Sequence, residues 1–195
     1  MKKLLITGFD PFGGEPINPS WEAVKELPDH IGEYQITKME IPTVFGVAAE
    51  KILTLAAELA PDVIISVGQA GGRKAVTPEV IGINLREARI PDNIGNQPVD
   101  IPVIPNGPDA YFSTLPVREM VAAICSEEIP AALSYSAGAF VCNDVLYTLL
   151  HHYKGTHVRV GFIHVPYLPQ QAVNGHPSMS QEQILRALTL AISVL

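Results

Sequence analysis

A thiol, an imidazole and a carboxylate form an acyl-transfer centre when they meet, because the imidazole activates the thiol and the carboxylate orients the imidazole. Cys142, His164 and Glu79 are the candidates in this chain. Cys142 follows the small-residue turn Ala137-Gly138-Ala139 and precedes Val145, Leu146, Leu149 and Leu150, which recur at helical spacing. It therefore falls at or just before a helix N-terminus. Free N–H groups and a positive dipole end gather there, favouring a thiolate and able to hold an oxyanion. A low-pKa thiolate is the expectation, set against the commoner reading of cysteine as a small buried hydrophobe. His164 ends the apolar run Val158–Val165, where it is either a core histidine or a base facing a crevice. It outranks His151 and His152, which close a helix whose dipole they answer. Glu79 lies beside the apolar run Val80-Ile81-Gly82-Ile83, either solvated or paired with something buried.

Spacing does not bring the three together; the elements around them must. The chain has 195 residues, 47% hydrophobic and 17% charged, which suits a single globular domain over 1–195. Its net charge of −7 and lack of a dense Lys/Arg run exclude a typical nucleic-acid partner. Two cysteines make no disulfide framework, and Cys125 reads as helix packing. Met1-Lys2-Lys3 leads into an apolar run that ends at Thr7-Gly8, too short for a secretory signal. No run reaches transmembrane length, so no membrane partner is expected and the cytoplasm is the expected location.

Buried strands are expected at 3–7, 63–67, 131–135 and 158–165, a weaker one at 34–41 and a strand-like stretch at 77–85. Helices are expected from Asn18-Pro19, over 45–59, from Pro116 to near Glu128, from Cys142 to His152, and over 181–194. This alternation predicts a three-layer α/β/α sandwich with a mostly parallel sheet, phosphorylase- or hydrolase-like. Residues 99–108 are proline-rich and read, with 86–97, as a long surface excursion, a plausible oligomer interface. The glycine loops Gly8–Gly14 and Gly68–Arg73 follow strands and should face one crevice at their carboxyl ends. The Gly8 loop lacks the spacing of a phosphate loop and carries Phe9 and Phe12 instead. Those rings either line an apolar slot or plug the core. Asn18 is either a helix cap or a polar group close to that loop.

The ordered motifs Thr7-Gly8-Phe9-Asp10-Pro11-Phe12-Gly13-Gly14, Asn18-Pro19-Ser20-Trp21, Val67-Gly68-Gln69-Ala70-Gly71-Gly72-Arg73, Ile83-Asn84-Leu85, Glu87-Ala88-Arg89-Ile90-Pro91-Asp92-Asn93, Val141-Cys142-Asn143 and Gly161-Phe162-Ile163-His164-Val165-Pro166-Tyr167 run almost end to end. With them the chain resembles the pyroglutamyl peptidase I (pyrrolidone-carboxylate peptidase) family of cysteine peptidases. The resemblance implies a cytoplasmic thiol peptidase, a hydrolase of the omega-peptidase class, removing N-terminal pyroglutamate from peptides. It makes Cys142 the nucleophile, His164 the base and Glu79 its orienting partner. It implies no cofactor and no metal, and a homotetramer. Pyroglutamate is a small neutral lactam, so its site needs an apolar slot with few polar groups. By the resemblance Phe9, Phe12, Thr43, Ile90, Phe140 and Val141 match wall positions. Asn18 and Gln69 match polar contacts, and Arg89 a position near the active centre. Val80 stands where the family usually has a basic residue. As a strand neighbour of Glu79 it should face away, with little effect on chemistry. Two other classes remain alongside: a nucleotide- or nucleoside-binding α/β enzyme using the Gly8 or Gly71-Gly72 loop, and a non-catalytic binder of modified N-termini.

Overall fold

In the computed structural model, residues 1–195 are described, the side chain of Asn174 excepted. Strands β1 (Lys2–Phe9), β3 (Tyr34–Ile41), β4 (Val63–Gln69) and β8 (Arg159–Val165) form the parallel centre of a sheet. The short β2 (His30–Ile31) and β5 (Thr77–Pro78) close it at either edge in antiparallel pairing, giving the order β2-β3-β1-β4-β8-β5. Strands buried on both faces read as unbroken apolar runs, as Leu4-Leu5-Ile6 and Val63-Ile64-Ile65 do. Helices α1 (Pro19–Val24), α3 (Val117–Cys125) and α5 (Gln181–Ser193) cover one face. Helices α2 (Val47–Leu59) and α4 (Val141–His152) cover the other. The expected α/β/α layering is therefore present. No helix among the described residues is long and apolar enough to cross a membrane.

Two expected strands differ. The stretch 77–85 is broken. Thr77–Pro78 pairs with β8, the chain turns at Glu79-Val80, and β6 (Ile81–Ile83) leaves to pair with β7 (Ala110–Phe112) in a separate antiparallel ribbon. Pro78 cannot donate to a ladder, which confines it to an edge. Residues 131–135 are not a buried strand. They run along the outside of β5 through the bridges Val76↔Ala131 and Glu79↔Ser134. Ala131, Ala132 and Ser134 carry too little apolar bulk to hold a central place, and Tyr135 is exposed. Cys125 is exposed rather than packed.

Helix starts follow their local chemistry. Asn18 caps α1 by accepting from the Ser20 N–H, and Ser180 with Gln183 forms a reciprocal capping box on α5. Helix α4 has Phe140 at its cap position and no side-chain cap, so the N–H groups of its first turn are left open beside Cys142.

Candidate active site

Four carboxyl strand ends meet at one rim of the sheet: Phe9, Ile41, Gln69 and Val165. His164 is paired in register with Gly68 of β4 and Thr77 of β5. Directly paired residues project to the same face. A Cβ on Gly68 would lie only 2.9 Å from the Cys142 sulfur and 2.7 Å from the Phe162 ring. The thiol thus occupies the space that a side chain at 68 would fill, on the face where the His164 ring lies. From the strand edge, His164 Nδ1 meets Glu79 Oε1 at 2.7 Å. Glu79 is buried and paired, the second of its two readings, because the chain turns inward after Pro78. Its backbone N–H bonds the Phe162 carbonyl at 2.9 Å and fixes that turn.

The electrostatics follow from burial and from one cation. Arg73 Nη1 donates to Glu79 Oε1 at 2.8 Å. Although burial works against ionisation, hydrogen bonds from His164 and Arg73 and the charge at His164 hold the Glu79 carboxyl below its usual range. Burial pushes His164 below its ordinary value; Glu79 opposes this and Arg73 assists it. The ring is therefore neutral near pH 7, a base ready to accept. Cys142 corrects the low-pKa expectation. Its side chain keeps a partial opening to solvent. Its surroundings are nonetheless dry enough that burial, reinforced by the Glu79 carboxylate, pushes the thiol up to about 12, against a smaller opposing pull from Arg73. The resting pair is thiol and neutral imidazole, and the thiolate forms as the imidazole takes the proton.

The model of the pyroglutamyl peptidase family matches residues 2–195. The chain belongs to that family. It is 54% identical over 196 residues to the pyrrolidone-carboxylate peptidase of Escherichia fergusonii, covering 98% of this chain and 92% of that protein. It is 49% identical over 197 residues to the pyrrolidone-carboxylate peptidase of Thermoanaerobacter sp. X514, covering 99% and 97%. The crystal structure of Bacillus amyloliquefaciens pyroglutamyl peptidase I superposes with a TM-score of 0.96 at 48% identity, covering 99% of this chain and 96% of that one. The Thermococcus litoralis pyrrolidone carboxyl peptidase superposes at 0.95 with 39% identity, covering 100% and 93%.

Within this pyroglutamyl peptidase fold the other expected site residues take different places. Phe12 packs near Phe140, whose ring meets Phe45 edge-on at 5.2 Å, so three phenylalanines cluster just before the Cys142 helix. Ile90 is exposed and approaches the Gly13 turn. Phe9 is 1% exposed with its ring toward Phe162, so it plugs the core beneath the site. Val141 is fully buried among the α2 and α4 residues and offers the crevice its backbone only. Asn18 accepts from the Ser20 N–H and hydroxyl and donates to the Asp10 carbonyl, tying helix α1 to the loop after β1. Thr43 N–H donates to Asp10 Oδ1 at 2.6 Å and steadies that loop from the other side. Gln69 accepts a 2.9 Å bond from Gln171 Nε2, which leaves the Gln69 amide hydrogens uncommitted. Arg89 is exposed and makes no hydrogen bond or ion pair among the described residues. In the loop after β1, the Phe9 and Asp10 N–H groups are already taken by Ser20 Oγ and the Ile41 carbonyl. Those two groups are therefore closed to a phosphate. Val80 is half-buried, and its backbone bridges Ser134 and Ser113.

Arg73, Phe45 and Gln171 were not among the expected site residues. Arg73 closes the Val67–Arg73 motif, but nothing in its spacing names a partner. Phe45 is separated from Phe140 by about half the chain, and the packing of α2 beside α4 joins them.

Proposed function

We infer that this protein is a cysteine exopeptidase that removes N-terminal pyroglutamate, acting through one catalytic domain over residues 1–195. Family membership and the Glu79–His164 bond at 2.7 Å beside the thiol support it, and the latter carries the mechanism. The lactam ring lies against the apolar walls near Phe12, Phe140 and Ile90, with Gln69 donating to the substrate backbone. Cys142 Sγ attacks the pyroglutamyl carbonyl carbon while His164 takes the thiol proton. Open N–H groups at the α4 start stabilise the oxyanion. As the tetrahedral adduct collapses, the C–N bond breaks and His164 returns its proton to the leaving amine. Water, deprotonated by His164, then cleaves the thioester and releases free pyroglutamate and the thiol. Glu79 stays ionised throughout and holds the imidazole tautomer. Thiol, imidazole and water complete the reaction, without a cofactor. The same family likeness supports a cytoplasmic homotetramer, in which exposed Ile94, Val99 and Ile101 of the excursion are candidate contacts.

The test is release of a fluorescent amine from a pyroglutamyl amide under reducing conditions. Wild type turns over, Cys142→Ala does not, and neither acts on the matching prolyl or glutamyl amide. A folded, reduced wild type without turnover would overturn the reading.

A further inference from the structure

Arg73 ties its own loop to two further segments, Thr77–Glu79 and the turn at Ser136. It lies in the loop after β4, with its side chain one-third exposed. Nη1 donates to Thr77 Oγ1 at 2.6 Å and to Glu79 Oε1 at 2.8 Å. Nη2 donates to the Ser136 carbonyl at 3.0 Å, on the turn that leads into the nucleophile helix. A planar guanidinium can span such divergent acceptors, and a single ammonium cannot. Glu79 Oε1 accepts both Arg73 and His164, whereas Glu79 Oε2 is buried without a hydrogen-bond partner among the described residues. One oxygen therefore carries the whole coupling.

We propose that Arg73 is a positioning residue of this site: it aims the Glu79 carboxylate at His164, ties that arm to the turn carrying Cys142, and lends its positive charge to the thiol–imidazole pair. The proposal rests on the peptidase reading above. The titratable and charged groups that meet here are Arg73 from the β4 loop, Glu79 after β5, His164 from β8 and Cys142 from α4. Removing a cation from this set favours every protonated form. Both limbs of the activity profile then move to higher pH, because His164 holds a proton more tightly and Cys142 releases one less readily.

The experiment compares wild type, Arg73→Met and Arg73→Lys, all in a Cys125→Ser background that removes the other thiol. Folding is checked by circular dichroism, and two readouts are taken. In turnover of a pyroglutamyl amide, Arg73→Met loses about 10- to 100-fold in kcat with KM nearly unchanged. Its kcat/KM profile moves up by about one pH unit. Arg73→Lys keeps the profile in place but loses kcat, since it cannot hold Ser136 as well. The second readout, alkylation of Cys142 at fixed pH, needs no substrate. It slows in Arg73→Met by about threefold for each unit of thiol shift. An unmoved profile with unchanged alkylation in folded Arg73→Met would overturn the charge role. Should that variant not fold, Arg73→Lys decides alone: wild-type kcat overturns the bridging role, and a profile displaced upward overturns the charge role. Wild type that alkylates normally but releases no amine would instead indict the peptidase reading.

Discussion

Glu79 gathers its interactions on Oε1, and this makes the charge of the carboxylate matter more than its shape. Glu79→Gln keeps an acceptor for His164 and Arg73 but removes the charge that supports a transient imidazolium. A fall of about 100- to 10,000-fold in kcat is expected, together with a lower melting temperature because the β5 edge loses the charge that fastens it, as measured by amide turnover and thermal melting. Burial holds His164 below 6.5, so the acid limb of wild-type kcat/KM should lie below that pH. Cys142, raised from 9.0 to about 12, contributes stability that is present below pH 9 and is lost as pH climbs toward 12. Alkylation of Cys142 in Cys125→Ser should therefore still be rising steeply at about pH 10, where an ordinary exposed thiol has levelled off. A plateau near neutrality would restore the preformed thiolate.

At the scale of elements, the first turn of α4 is tied down more firmly than its missing cap suggests. Asn143, fully buried, accepts from the Ile83 N–H and donates to the carbonyls of Ile83 and Leu85. Asp144 accepts from Arg86 at 2.6 Å and from the Gly46 N–H at 2.7 Å, binding α2 and the excursion to the same turn. Asn143→Ala leaves three part-buried backbone groups without their partner and should cost about 1 to 3 kcal/mol, read by denaturant unfolding. Asn18→Ala should cost about 1 to 2 kcal/mol, for the lost cap and the released Asp10 loop. Most of these elements were legible in the sequence. Apolar runs announced β1, β4 and β8, and Asn18-Pro19 and Ala137-Gly138-Ala139 announced helix starts. Less legible was the path of 77–85, where period-two patterning is the same whether a strand continues or turns into another sheet. Glu79 was visible as a candidate for that reason, while its burial and its bond to Arg73 were not. Residues 131–135 misled because Ala and Leu look buried until a partner strand with proline at its centre leaves them outside.

For the molecule as a whole, the active site and the sheet edge are the same place. The carboxyl half of strand β8 would be an open edge of N–H and C=O groups were it not covered by the two residues of β5 and the turn at Glu79, while Thr114 closes the other half at Val160. Such uncovered edges recruit other chains. The cover is fastened by a charge-dependent cluster, because Glu79, held below 4.5, contributes stability that is present above that pH and is lost as pH falls. Protonating His164 and then Glu79 loosens β5 along with the triad. Acidification should thus bring light scattering and loss of turnover together, and thioflavin binding should accompany the scattering. Because one segment both guards the edge and carries a catalytic carboxylate, stored enzyme at low pH should fail by clumping rather than by slow chemical decay.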